Sequence, residues 1–185
     1  MSLPRIEGYA VISREGMIAE ADGSFPDAIK VEADQIFYHA ALARAAAIAN
    51  GRHSAEILSH SAKRPRLVLT RRIPALQADP KNPHAMHWNP AGATFAEAWA
   101  QLGVEDGTLA VVGGTDVFGL FLDIGYDSFF LSCTPGTVPN GRPVFPGVGP
   151  GFSAQECLKR KGYALSASRV LDAASRTILE QYTQI

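Results

Sequence analysis

The chain has 185 residues, 46% hydrophobic and 19% charged, so it can bury a core as one domain over residues 1–185. A formal net charge of -1 and a pI near 6.5 supply no basic surface for nucleic acid or an anionic membrane, and no apolar stretch is long enough to span a bilayer. The N-terminus lacks the pattern of a secretion signal, and Cys133 and Cys157 have neither metal-type nor redox-type spacing. We therefore expect a cytoplasmic protein with reduced thiols that acts on a small molecule, without nucleic-acid or membrane partners.

Strand-like and helix-like segments alternate along the chain, which favours an α/β fold. Apolar runs predict strands over residues 6–13, 45–50, 66–70, 85–88, 109–112 and 128–133. Helical spacing predicts helices over residues 33–44, 95–102 and 115–122. Residues 134–152 are rich in proline and glycine and predict an ordered loop. Residues 163–167 and 177–182 alternate and predict a closing antiparallel hairpin, which can add a sheet edge to a partner in a homodimer.

The first predicted helix carries an acid on an otherwise apolar face. Asp34, Phe37, Tyr38 and Ala41 stand at positions i, i+3, i+4 and i+7, so they share one side of the helix. A buried carboxylate is unfavourable without a donor, and a flat heterocycle with paired N–H groups between aromatic rings would supply one. The alternative is an acid in the first helical turn that faces solvent, favoured by the helix dipole, with both rings in the core.

A glycine pair interrupts the apolar run of residues 109–112 just before a predicted helix. Gly113 and Gly114 let the backbone turn sharply and approach a ligand, and the N–H groups that begin the helix can bind a phosphate. A plain tight turn is the alternative interpretation.

A second junction of this kind lies upstream, over residues 47–56. An apolar run ends at Gly51 and is followed by Arg52, His53 and Ser54, where an arginine fork and a histidine can meet an anion. A capped surface turn with solvated basic side chains is the alternative. Two junctions on separate strands favour one ligand with several phosphates, such as a dinucleotide.

These features resemble the dihydrofolate reductase family, including the related reductase domain of bacterial riboflavin biosynthesis, in the same order along most of the chain. The segments that carry the resemblance are residues 8–12, 33–38, 51–56, 67–71 and 111–114, with residues 13–19 similar to the opening of the riboflavin-type reductases. The resemblance implies a mixed, mostly parallel sheet flanked by helices and closed by a C-terminal antiparallel hairpin. It also implies NADPH as cofactor and a heterocyclic small-molecule substrate.

The resemblance also implies roles for individual residues. Asp34 would be the catalytic carboxylate that holds the substrate ring, with Tyr38 stacked near it. The substrate-binding residues would be Ala10, Val11, Asp34, Phe37, Tyr38, Arg64 and Ser132, with Arg64 placed for the glutamate tail of a folate. The cofactor-binding residues would be Ile18, Gly51, Arg52, His53, Ser54, Leu69, Thr70, Arg71, Val112, Gly113, Gly114, Thr115, Asp116, Val117 and Phe118.

Two further expectations concern the cofactor and the loop beside it. Arg52 and Arg71 near one ribose would neutralise a 2′-phosphate, which favours NADPH over NADH. Residues 17–26 would form a lid that excludes water. This chain has Ile29 near the place of the family's tryptophan, with Phe25 as a displaced equivalent, and Phe118 where a tyrosine is common.

Three functions follow as hypotheses. The first is reduction of 7,8-dihydrofolate to tetrahydrofolate, and the second is reduction of a ribosylated aminopyrimidine in a riboflavin-type pathway. The third is a nucleotide-binding protein of the same fold without turnover, because fold does not fix function. No metal is expected, since His84 and His87 have no third ligand in the sequence pattern.

Overall fold

A computed structural model describes residues 2–53 and 63–185 of the chain. Its strands are β1 Arg5–Ile12, β2 Met17–Ala19, β3 Ala47–Gly51, β4 Arg66–Leu69, β5 Leu76–Ala78, β6 Ala85–Trp88, β7 Thr108–Val111, β8 Ser128–Cys133, β9 Arg142–Pro143, β10 Tyr163–Asp172 and β11 Thr177–Gln184. Its α-helices are α1 Glu32–Arg44, α2 Phe95–Leu102, α3 Thr115–Ile124 and α4 Ala154–Arg160, and a 3-10 turn spans Asp27–Ile29.

Nine of the strands form one sheet in the order β10-β11-β8-β1-β7-β3-β4-β6-β5. The six strands from β8 to β6 in this order run parallel to one another. β10 and β11 form an antiparallel hairpin on one side, and the short β5 runs antiparallel to β6 on the other. The predicted α/β fold with a mostly parallel sheet and a closing hairpin is therefore confirmed.

The described helices cover both faces of the sheet. Side chains from α2, α3 and α4 form the larger apolar core with one face, centred on buried rings such as Trp88, Phe121 and Phe129. Helix α1 packs on the opposite face through Ala41 and Leu42. The middle strands β3 and β7 are almost wholly buried because both of their faces are covered, which explains their continuous apolar sequences.

Several elements were absent from the sequence prediction. Helix α4 has only seven residues, too few for a helical period, although Ser153 and Glu156 form a capping box at its start. Strands β2 and β9 pair only with each other and have three and two residues, so their pairing depends on contacts between distant parts of the chain. No helix within residues 2–53 and 63–185 is long and apolar enough to cross a membrane.

Gly8 allows β1 to lie close to the aromatic core. It is the cross-strand partner of Phe129 on β8, and a Cβ atom added at Gly8 would lie 2.3 Å from the Phe129 ring and 2.9 Å from the Tyr126 ring. Both rings are fully buried, so neither can move away easily.

We expect Gly8→Ala to lower the free energy of unfolding by about 1–3 kcal/mol, as overpacking of a dense core does. Chemical denaturation measures this loss. Gly149→Ala is the matched control, since its added Cβ would meet no atom within 4 Å. Equal stabilities of the two variants would contradict the proposed overpacking.

Candidate functional site

A cleft of about 1030 Å³ lies where the carboxyl ends of the parallel strands meet. Val11 near the end of β1, Gly51 of β3, Leu69 of β4, Val112 after β7 and Ser132 of β8 all line it. Parallel pairing therefore collects residues from five strands at one edge of the sheet. Helix α1 forms one wall, and the start of α3 forms another.

Asp34 lies in the first turn of α1 with its side chain turned into this cleft. The residue is only 8% exposed, and its carboxylate accepts a hydrogen bond from the hydroxyl of Ser132, which is 1% exposed. Burial raises the pKa of the Asp34 carboxyl above its usual range, whereas the Ser132 hydrogen bond and the charge of His39 act to lower it. The acid thus faces the cleft rather than bulk solvent.

Three aromatic rings pack together beside Asp34. Tyr9 and Phe130 are cross-strand partners and their rings stack with centroids 5.1 Å apart. Phe37 meets the Phe130 ring edge-on at 5.7 Å and the Tyr9 ring at 6.0 Å. All three line the cleft, so they provide flat apolar surface next to a carboxylate. The sequence prediction included Phe37 but missed Tyr9 and Phe130. Each lies two residues before a residue that it did include, Val11 or Ser132, and so shares a strand face with it.

Helix α1 also presents polar groups to the cleft. Gln35, Tyr38 and His39 line it on the same helix as Asp34. The wall beside the carboxylate therefore offers an amide, a phenol and an imidazole for hydrogen bonds to a ligand. Gln35 and His39 were not among the predicted site residues, since they lie off the apolar face that guided the prediction.

The glycine pair after β7 lets the backbone turn tightly between β7 and α3 and leaves room for a ligand beside it. Gly113 has φ +102°, and a Cβ atom there would lie 2.8 Å from the Phe118 ring, so only glycine fits without strain. Its carbonyl accepts from the N–H of Gly51 at 2.8 Å, which joins the two predicted junctions. At Gly114, which precedes α3, an added Cβ would meet no protein atom within 4 Å, so the backbone faces open cleft.

Basic side chains surround these junctions. Arg52, His53, Arg71 and Arg72 line the cleft, and the guanidinium of Arg52 lies 2.8 Å from the His53 ring nitrogen Nε2. Arg71 is 86% exposed and lies 3.6 Å from the carboxylate of Asp116, an exposed pair that contributes little to stability. The Arg71 guanidinium can therefore leave Asp116 for an anionic ligand at small energetic cost.

The loop over residues 17–26 lies along the cleft and is attached at one side. Strand β2 pairs with β9, and the Arg142 guanidinium donates to the carbonyl of Ala21 at 3.2 Å. Ile18 and Phe25 line the cleft from this loop, and Phe25 is 51% exposed. Ile29, by contrast, is fully buried beneath the loop. Phe25, rather than Ile29, therefore lines the cleft.

The structure brings most of the predicted site residues to one cleft. They are Ala10, Val11, Asp34, Phe37, Tyr38 and Ser132 on the substrate side, and Ile18, Gly51, Arg52, His53, Leu69, Thr70, Arg71, Val112, Gly114, Thr115, Asp116, Val117 and Phe118 on the cofactor side. Gly113 forms the turn before Gly114 but does not itself line the cleft. Ser54 lies outside the described residues. Asn89 and Arg142 also line the cleft without having been predicted.

Arg64 differs from the prediction. Its guanidinium donates to the backbone carbonyls of Ala43 and Ala45 at the end of α1, and the residue does not line the cleft. The last carbonyls of a helix lack partners within the helix, so a nearby arginine satisfies them. The prediction that Arg64 lies where it could bind the glutamate tail of a folate is therefore wrong.

Metal-binding geometry is absent from the described ranges 2–53 and 63–185, which contain no group of three His, Cys, Asp or Glu side chains placed to hold an ion. His87 instead pairs with Asp79 at 3.4 Å.

No protein-family model matches this chain, and no curated protein matches its sequence. Solved structures do resemble it. A candidate riboflavin biosynthesis protein from Shewanella sp. PV-4 superposes with a TM-score of 0.65 at 16% identity, covering 98% of this chain and 99% of the other. Dihydrofolate reductase from Enterococcus faecalis, complexed with NADP(H) and RAB-propyl, gives a TM-score of 0.64 at 18% identity, covering 96% and 95%.

A third similar structure is a larger protein from Thermotoga maritima, a diaminohydroxyphosphoribosylaminopyrimidine deaminase/5-amino-6-(5-phosphoribosylamino)uracil reductase. Its TM-score is 0.64 at 15% identity, and the match covers 98% of this chain but 57% of that one. The chain therefore has the fold shared by dihydrofolate reductases and riboflavin-type reductases.

We expect Asp34→Asn to stabilise the fold at neutral pH. The usual pKa of an aspartate is 3.8, and burial raises the pKa of Asp34 in the folded protein above that value. As the pH rises from the unfolded-state pKa through the raised folded-state pKa, Asp34 becomes charged in its buried position and the free energy of unfolding falls. Asparagine carries no charge and can still accept from Ser132. The gain should be largest at about pH 7 and should shrink toward about pH 4, as denaturation curves at several pH values will measure.

Asp116→Asn is the control for this experiment, because Asp116 lines the same cleft but its side chain is 78% exposed. Its substitution should change stability little at either pH. A stability gain for Asp34→Asn that does not depend on pH would show that the buried charge is not its cause.

Proposed function

We propose that this protein is an NADPH-dependent reductase that transfers hydride to a C=N bond of a flat nitrogen heterocycle, with 7,8-dihydrofolate as the first candidate substrate. One observation carries the proposal. The buried Asp34, held by Ser132, lies in the same cleft as the glycine junction and the arginines Arg52 and Arg71. A non-catalytic nucleotide-binding protein would have no use for the acid.

The cofactor half of the cleft fits a dinucleotide phosphate. The open space at Gly114 and the first N–H groups of α3 suit a pyrophosphate, and Thr115 lines the cleft beside them. Arg52 and Arg71 suit the 2′-phosphate that distinguishes NADPH from NADH. When bound, the cofactor supplies the hydride.

The substrate half supplies orientation and charge. The Asp34 carboxylate accepts from paired N–H groups of the ring, and in that state it stabilises positive charge that develops on the heterocycle. Ser132 holds the carboxylate in place. Phe37 and Tyr38 bound the ring, and Phe25 with Ile18 on the loop limit access of water.

A second candidate substrate is a ribosylated aminopyrimidine such as 5-amino-6-(5-phosphoribosylamino)uracil. Two observations favour it. Arg64 is bound to the end of α1 and so leaves the tail of a folate without its expected cation. Gln35 and His39 give the wall beside Asp34 hydrogen-bonding groups that suit a hydroxylated sugar chain better than an aryl group.

We expect the purified protein to oxidise NADPH with one of these two substrates, measured by absorbance against a blank without substrate. Asp34→Asn should lower turnover by about 100-fold or more, since a positioned acid or base contributes at least that factor. NADPH affinity of this variant should remain unchanged, because Asp34 lies on the substrate side. NADPH binding without turnover on either substrate would contradict the proposed reaction.

The proposed cofactor preference depends on the two arginines. Arg52→Ala and Arg71→Ala should each raise the Kd of NADPH by about 10-fold, the loss of one charge-assisted hydrogen bond, and should leave the Kd of NADH nearly unchanged. Fluorescence titration with both nucleotides measures this. Lys81→Ala, an exposed cation that does not line the cleft, is the control. Equal weakening of both nucleotides would place the arginines away from the 2′-phosphate.

A further inference from the structure

An ion pair between Arg71 and Asp116 spans the cofactor side of the cleft. Arg71 follows β4, and Asp116 is the second residue of α3, which follows β7. The sheet order places β3 between β4 and β7, so the pair joins residues that follow the strands on either side of β3, which ends at Gly51. All three residues line the cleft. The ion pair therefore lies among the residues proposed to bind the dinucleotide.

The contact between the two side chains is loose. The Arg71 guanidinium and the Asp116 carboxylate are 3.6 Å apart, which is longer than a hydrogen bond, and the side chains are 86% and 78% exposed. An exposed ion pair contributes little to stability, because water screens it and both side chains lose conformational freedom. The fold therefore loses little when a ligand takes either partner from the other.

Asp116 places a negative charge where the proposed cofactor brings its own. Carboxylate and phosphate oxygens are both anionic acceptors for the N–H groups of an arginine. The first turn of α3 favours either group, since the helix dipole attracts negative charge there. Arg71 thus faces an anion of the protein when the cofactor is absent and would face an anion of the cofactor when it binds. Arg52, by contrast, contacts the ring of His53 rather than a carboxylate.

We propose that Asp116 competes with the 2′-phosphate of NADPH for Arg71 and so sets how tightly the cofactor is held. This inference rests on the proposed function and assigns a specificity-determining residue to the same cleft. The carboxylate weakens the binding of NADPH more than that of NADH, which has no 2′-phosphate, and it takes Arg71 back as the nucleotide leaves. Because affinity differences among variants of one site lie mostly in the dissociation rate, Asp116 accelerates release of the nucleotide.

Fluorescence titration of the full chain with NADPH and with NADH tests the competition. Asp116→Asn should lower the Kd of NADPH by about five-fold, the upper range for one exposed ion pair, and should change the Kd of NADH by less than about two-fold. Asp116→Glu keeps the charge and should bind both nucleotides like the wild type. Asp123→Asn is the matched control, because Asp123 also lies on α3 and forms an exposed ion pair, with Lys161, but does not line the cleft.

Double variants identify the arginine for which the two anions compete. In an Arg71→Ala background, Asp116→Asn should no longer tighten NADPH binding, whereas in an Arg52→Ala background the gain should persist, since Arg52 contacts His53. Stopped-flow displacement should show slower release of NADPH from Asp116→Asn than from the wild type.

Three results would overturn the competition while the proposed function stands: a Kd of NADPH that Asp116→Asn leaves unchanged or raises, equal gains for NADPH and NADH, or a gain that persists without Arg71. In each of these cases the wild type binds NADPH and Arg71→Ala weakens that binding. A wild type that binds no NADPH would overturn the proposed function together with this inference.

Discussion

Parallel pairing of six neighbouring strands is the constraint on which the site depends. Because β8, β1, β7, β3, β4 and β6 run in one direction, their carboxyl ends lie at the same edge of the sheet. Residues far apart in sequence, such as Val11, Gly51 and Ser132, therefore line the same cleft. The close approach of β1 to β8 depends in turn on Gly8, which leaves room for the Phe129 ring. Packing at the centre of the sheet thus fixes the geometry at its edge.

The two halves of the cleft differ in how far their charged groups are buried, because Asp34 is buried whereas Arg71 is exposed. Asp34 is buried, so its charge is unfavourable unless a donor meets it, and Ser132 supplies one of the donors while a ligand can supply others. The cations on the cofactor side remain hydrated, and the exposed pair of Arg71 with Asp116 is weak. In the proposed function, the first half would select its ligand by desolvated hydrogen bonds and the second by charge. Specificity is expected to depend mainly on the first half.

Sequence patterns were sufficient where the signal is local. The apolar runs that became β7 and β8 and the shared face of Asp34 and Phe37 follow from periodicity alone. The resemblance to known reductases implied the mostly parallel sheet and its closing hairpin, but not the order of the strands. Pairing of β2 with β9 was not predictable, since two or three residues carry no period. Helix α4 is nearly as short, but its capping box of Ser153 and Glu156 was a local signal that could have located it.

Arg64 shows why chain position alone does not make a site residue. It precedes β4 at the expected place, yet the free carbonyls at the end of α1 lie within its reach and bind its guanidinium. A ligand would have to compete with these hydrogen bonds to recruit it. On the wall formed by α1, Gln35, Tyr38 and His39 line the cleft beside Asp34, and the Arg169 guanidinium lies 5.8 Å from the centroid of the Phe37 ring. Position along the chain therefore predicts that an arginine lies near a site, and the competing acceptors around it decide whether its guanidinium faces that site.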